Sequence, residues 1–518
     1  MQTRLASLIL CAGGFAAAAQ ESPLSAIDWL AVQRDVAPVV ALEPQVSEEP
    51  IAQSAAVPTV DVQPLDAPDI GGVGLLPSSV TGFPPSLWQG SSEDRLITSI
   101  RSLNRTTALV PAVESLLHTL LLAEAAPPNG SSGEALFRAR VQTLYDLGLV
   151  APAEALMERV GELSPDHFDL AFNLALLTGT DEALCARLSE QANLSRDLPT
   201  RIWCATRSGE FPLAMTIYQT GVALDQMSEL DAELLLRFLD PEYAEGGQPL
   251  RIPVRPTPLQ FRLFEAIGEA LPTARLPLPF AVVELSGDSG WRAQLQAAER
   301  LARAGAIDGN QLLGAYTKQM RAASGGIWDR VDALQRFETA LTTGDPTAVS
   351  SSVQAVWPQM RSAGLLVPFA NLFATRLQGL PLAERSQKLA GYAALLSDEY
   401  EAAASHLSTS DDPQLVYLSA IAQGQTPPTQ SADVAHADAL RQAWSGAPNA
   451  PTGIADWPSD NRLGEALLAT ISQFATGADG NTQALAEALS SLRAFGLEDT
   501  ARRAALQLAI LDMEGARR

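Results

Sequence analysis

From Ser91 to the C-terminus the apolar residues of this chain recur at helical spacing, segment after segment, and almost nowhere at alternate positions. That periodicity points to amphipathic helices and away from sheets. The first segment opens Ser91-Ser92-Glu93-Asp94, which predicts a capping box, and carries Leu96, Ile97, Ile100 and Leu103 on one face. Pro111 predicts the first turn of the next helix, with Val113, Leu116, Leu117, Leu120 and Leu121 as its apolar stripe. Further helical segments of about 12–17 residues follow, joined by short Gly, Pro and Asp turns. The exceptions are Ile252-Pro253-Val254-Arg255 and Phe280-Ala281-Val282-Val283, which read as extended pieces beside a helix over Leu259–Ala270. The expected fold class is all-α.

Several helix pairs share a ladder of residue types. Gly148, Ala153, Met157 and Pro165 form one ladder, and Gly209, Phe211, Ala214 and Tyr218 a second. Tyr400, Ala403 and Leu407 form a third without the glycine. Phe495-Gly496-Leu497 followed by Ala501, Ala504 and Ala505 is similar. Glycine permits a tight interhelical turn, alanine lets two helices approach, and proline stops the second helix. In these features residues 91–518 resemble the tetratricopeptide-like α-solenoids, and the resemblance implies a right-handed stack of degenerate helix pairs. Longer strings resemble a family of exported alphaproteobacterial proteins, some of them called antifreeze glycopeptide polyprotein. These are Phe261 to Glu269, Trp291 to Ala306 and Ala322 to Arg330, together with Ser25–Leu30 and Val73–Trp88. That resemblance implies a cell-envelope protein and names no reaction. The chain lacks the Ala-Ala-Thr repeats that the label suggests.

The N-terminus reads as an export signal. Arg4 supplies the positive charge, Leu5 to Ala19 is apolar, and Ala17-Ala18-Ala19 precedes Gln20 as a cleavage site. Cys11 follows Leu8-Ile9-Leu10, but Leu10 is large where a lipoprotein box has a small residue, so cleavage after Ala19 into the periplasm is the expectation. Residues 20–90 are rich in Pro, Ala and acids and read as an extended tether. Two apolar islands interrupt it. The one holding Ile27, Trp29 and Leu30 is open to two readings, docking on another protein or folding back. The other, Val73 to Trp88, is expected to fold back onto the helical body, with Trp88 kept as a contact candidate. The expected divisions after the tether are 91–246, 247–446 and 447–518. Loss of the signal leaves Cys185 and Cys204 in neighbouring helical patterns. In an oxidising compartment an even pair reads as a disulfide, with two buried thiols as the alternative.

Chemistry is sparse. The 518 residues carry 35 Lys+Arg against 59 Asp+Glu, a formal charge of −24, which opposes binding to nucleic acid. All but two of the cations, Lys318 and Lys388, are Arg, which reads mainly as the codon bias of a GC-rich genome, with forked carboxylate pairing as the alternative at a few sites. Gly287-Asp288-Ser289-Gly290 spells the nucleophile string of chymotrypsin-like proteases, but in a helical setting it reads as a turn and helix start capped by Asp288 or Ser289. There is no nucleophile elbow, phosphate loop, zinc-protease motif or dinucleotide fingerprint. His118, His167, His406 and His436 are scattered, so no metal or cofactor is expected. Ser324-Gly325-Gly326-Ile327-Trp328-Asp329-Arg330 is the motif least explained by packing, and it nominates Trp328 and Arg330 as partner contacts. The expected function is a non-enzymatic periplasmic scaffold or adaptor that binds another envelope protein, with no membrane span after signal removal. The alternative is a peptidoglycan-binding or peptidoglycan-processing protein like those that carry helical superhelices.

Overall fold

The computed structural model describes residues 70–104, 109–161, 163–244, 250–286, 289–321, 323–429 and 433–517. The export signal, the tether up to residue 69 and the Ile27, Trp29 and Leu30 island lie outside them. The described residues belong to one unit running from Asp66 to Arg518. They form helices and no strand, the only pairing being an isolated parallel bridge between Leu76 and Ala123.

The helices run in order α1 Glu93–Leu103, α2 Pro111–Leu122, α3 Glu134–Asp146, α4 Val150–Val160, α5 Pro165–Thr178, α6 Asp181–Glu190, α7 Leu198–Arg207, α8 Phe211–Ala223, α9 Glu229–Leu239, α10 Pro258–Ala266 and α11 Trp291–Arg303. They continue α12 Gly309–Thr317, α13 Ile327–Thr343, α14 Pro346–Ala363, α15 Leu366–Leu377, α16 Glu384–Leu396, α17 Tyr400–Leu407, α18 Pro413–Ala422, α19 Ala437–Ala443, α20 Leu463–Ala478, α21 Thr482–Ala494 and α22 Glu498–Met513. Prolines in the first turns of α2, α5, α7, α10, α14 and α18 start helices where an N–H has no intrahelical partner to lose. Gly148 turns the chain between α3 and α4 at φ +80°, with Leu278 and Leu301 packed where a side chain would stand. The alanines of the ladders, Ala153, Ala214, Ala403, Ala501, Ala504 and Ala505, are all buried, as close helix approach demands.

Most helices pack on their neighbours in sequence, and the last group returns to the first. α20 packs on α1 and α2, and α22 packs on α2. The Ala112 N–H, at the start of α2, donates to Gln507 Oε1 of α22 at 2.7 Å. Gly90 N–H donates to the Asn461 carbonyl at 2.9 Å, and Gly464 N–H to the Leu87 carbonyl at 3.0 Å. The expected divisions at 246 and 446 are therefore not domain boundaries. The 447–518 segment completes the core around α1 and α2, and a 3-10 segment, Leu278–Ser286, fills space against α3 and α5.

The second apolar island is folded onto the helical body, as its sequence led one to expect. From Ile70 the chain is folded, and Val73, Phe83, Leu87 and Trp88 are core residues. Trp88 is therefore no partner contact: it is 1% exposed, and its ring lies over the backbone of Gly464. Three local readings also change. Ser92 makes no side-chain cap on α1. Glu93 instead reaches the first turn of α3, accepting from Leu136 N–H at 3.0 Å and from the Ser131 hydroxyl at 2.6 Å. Phe280 to Val283 is not extended but sits inside the 3-10 segment, where Phe280 packs on Phe261 at 5.2 Å between ring centres. α11 is capped by Gly290 without a side-chain hydrogen bond, so Ser289 does not cap it, and Asp288 lies outside the described residues.

Cys185 of α6 and Cys204 of α7 form a disulfide, with their Cα atoms 4.8 Å apart and 19 residues of separation. Closing a loop of this length stabilises by about 3 kcal/mol in the chain-entropy account. Reductant, or the pair Cys185→Ala and Cys204→Ala, is expected to lower the unfolding free energy by that amount in a denaturant titration. An unmoved midpoint would contradict it.

Candidate interaction surface

The central glycine–tryptophan motif is an internal clamp. Gly325 has φ +92°, and Gly326 has φ +58° with ψ −120°, a conformation that residues with a side chain rarely adopt. Asp329 Oδ1 closes this turn by accepting from Gly325 N–H at 2.9 Å. Arg330 forks onto Glu299 at 2.7 and 2.8 Å, and the Tyr316 hydroxyl donates to the same carboxylate at 2.6 Å. Burial and the Glu299 charge hold the Tyr316 phenol well above its usual range. Trp328 lies half-buried against Trp291, ring centres 4.9 Å apart. Arg330 is thus not available to a partner, because its donors tie α11, α12 and α13 together. The two glycines are needed for the turn that brings it there.

An open groove of about 1350 Å³ lies between α15, α16, α17 and α18. Two of the charges that line it are held by each other: Lys388 Nζ is 2.8 Å from Asp412 Oδ2, and Asp412 also caps α18 through the N–H groups of Gln414 and Leu415. Those contacts keep the Asp412 carboxyl below its usual range despite burial.

On α2, Glu114 and His118 stand one turn apart on the same face. Neither side chain makes a hydrogen bond to another described residue, and Gly305 approaches the His118 ring. Burial pushes Glu114 up to about 7 and His118 down to about 4. The signs oppose. Raising the pH from about 4.5 to 7 removes stability through Glu114, because the folded state holds the proton that the unfolded state releases. Raising it from about 4 to 6.5 adds stability through His118, which the unfolded state protonates first. The two nearly cancel in the native chain. Glu114→Gln is expected to raise stability at pH 8 by about 2–3 kcal/mol and to leave a rising slope between pH 4 and 6.5. Equal urea midpoints for the two proteins at pH 8 would contradict this.

The surface that stands apart is α8. Its thirteen residues, Phe-Pro-Leu-Ala-Met-Thr-Ile-Tyr-Gln-Thr-Gly-Val-Ala, contain no charge, and only Ala214 and Gly221 are buried. These small residues let α8 sit close on α7, where Leu198 occupies the space a side chain on Gly221 would need. A stripe at helical spacing remains: Phe211, Met215, Tyr218 and Val222. Phe211 is 57% exposed and Val222 48%, with Met215 and Tyr218 half-buried between them. Tyr243, 51% exposed, extends the stripe beside Tyr218. Burial, then Glu233 and Tyr243, push the Tyr218 phenol up. Leu213 and Leu224 are exposed on the opposite flank.

The support under α8 is rigid. The disulfide fixes α7 to α6, Trp203 stacks on Phe238 at 5.4 Å, and its indole N–H donates to Asp181 at 2.8 Å. Asp197 caps α7 by accepting from the Thr200 N–H at 2.9 Å. Where the corresponding ladder position two residues after Gly148 is the buried Val150, Phe211 stands out from the surface. Sequence reasoning placed none of these residues at a contact surface. The signal was there in a helix-length run without a single charge and with small residues at the packed positions.

The chain is an all-α, helical-repeat-like protein with an internal disulfide. Compared with family models, curated proteins and solved structures, it matches none. Among the described residues, no group of three or more His, Cys, Asp and Glu side chains is placed to hold a metal ion, and no helix is long and apolar enough to cross a membrane.

Proposed function

We propose that this protein is a non-enzymatic adaptor of the cell envelope, an exported α-solenoid of degenerate tetratricopeptide-like pairs that holds another envelope protein on α8. The observation that carries the reading is the charge-free stripe from Phe211 to Val222, presented on a braced support. Monomeric proteins seldom leave a contiguous apolar face to water unless something binds it. Aromatic residues at such a face are favoured contact anchors. The disulfide supports an oxidising compartment, in agreement with the export signal read from the first nineteen residues.

The test is site-specific photocrosslinking in cells. A photoreactive residue at position 211 or 222 is expected to give a discrete protein adduct, and the same residue at position 336, which is 71% exposed on α13, none. Identical patterns from all three positions, or no adduct at 211 and 222, would overturn the reading.

A further inference from the structure

The partner's chemistry can be read from the charges around α8. Four acids lie at or near its ends and on the following turns: Glu210, Asp225, Glu229 and Glu242. All are exposed, and none of their carboxylates has a hydrogen bond or ion pair with another described residue. Of the three cations on the adjoining helices α7 and α9, Arg201, Arg207 and Arg237, the last two are committed elsewhere. Arg207 lies 3.4 Å from Asp181, and Arg237 is held by Glu233 and Glu269 at 3.0 Å each. The stripe is therefore a neutral apolar strip with unpaired carboxylates before its first residue and after its last.

We propose, resting on the adaptor reading, that α8 receives a basic amphipathic helix of another protein, its apolar face on Phe211, Met215, Tyr218 and Val222 and its Lys or Arg side chains meeting Glu210 and Asp225. Helix pairing through residues spaced like these four is a recurrent mode of recognition. Flanking charge selects among the possible apolar occupants. A second copy of this chain fits poorly. Parallel or antiparallel, two α8 stripes would set acid against acid at both ends, between molecules that each carry a formal charge of −24. An anionic bilayer meets the same repulsion.

The probe is a labelled 18-residue helical peptide with leucines on one face and lysines at both ends. It is compared with its glutamate counterpart and with phosphatidylglycerol vesicles, on the full chain. The lysine peptide is expected to bind at least tenfold more tightly than the glutamate peptide, and the vesicles not at all. Phe211→Asp with Val222→Asp is expected to abolish binding. Glu210→Gln with Asp225→Asn is expected to weaken it by about threefold to tenfold and to flatten its salt dependence. All four side chains are solvent-exposed, and circular dichroism checks that the variants fold. Equal binding of the two peptides, binding unchanged by the α8 variants, or preference for vesicles would overturn the proposal. A crosslinked partner at position 211 or 222 that proves acidic, or proves to be this same polypeptide, would overturn it too. A protein adduct together with a failed lysine peptide removes this inference and leaves the adaptor reading standing. No adduct removes both.

Discussion

Arg140→Ala is expected to lower the unfolding free energy by about 3–5 kcal/mol, because three buried carbonyls lose a charged hydrogen-bond donor. Arg140 is completely enclosed, and no carboxylate among the described residues pairs with it. Its Nε donates to the Leu121 carbonyl at 2.8 Å, and its Nη1 and Nη2 donate to those of Val73 and Ala123 at 2.9 Å each. Leu121 and Ala123 end α2, where the last carbonyls have no N–H within the helix and the helix dipole favours a cation. Val73 belongs to the segment that folds back before α1. Burial brings the guanidinium down to about 10, still charged at neutral pH. Alanine would leave three buried carbonyls without donors, each costing about 1–3 kcal/mol. Arg140→Lys keeps the charge but not the fork, and about 2 kcal/mol should still be lost. Guanidinium titrations of the three proteins give the values. A loss below about 1 kcal/mol for the alanine variant would show that water replaces the side chain without penalty.

Trp88→Ala is expected to cost about 3–5 kcal/mol, as for large buried aromatics elsewhere. A Cβ at Gly464 would lie 2.1 Å from Trp88 Cζ3, so Gly464→Ala should cost about 3 kcal/mol through overpacking. The two losses should not add. Once the ring is gone, the alanine methyl enters vacated space, and the double variant should be little worse than Trp88→Ala alone. Simple additivity in that cycle would mean that the ring and the glycine are not the close neighbours seen here.

Much of the fold was legible because it rests on local rules. Pro111 starts α2, and Leu96, Ile100, Leu116 and Leu120 are buried as their spacing requires. The cysteine pair, left open between disulfide and thiols, is a disulfide. Forked arginines were anticipated as a class, and Arg330 and Arg462 are two of them, the latter 3.0 Å from both oxygens of Glu465. The misreadings share one cause. In sequence Trp88 and Arg330 read as partner contacts and Glu93 as part of a local cap, and each is engaged by a segment distant in sequence that spacing cannot reveal. The α8 surface escaped notice for the converse reason. Helical periodicity says which residues could be buried, but Phe211 and Val222 stay exposed because nothing among the described residues comes to cover them.

The pairing of the first helices with the last bears on how this polypeptide is made. The Ala112 and Gln507 groups that bond are 395 residues apart. At about 5–20 residues per second, a ribosome needs roughly 20–80 s to pass from one to the other. Throughout that interval the leucines of α1 and α2 lack their final covering. The nascent chain is open to aggregation and proteolysis for that time, and a chaperone able to shield leucine-rich helices would find its natural client there.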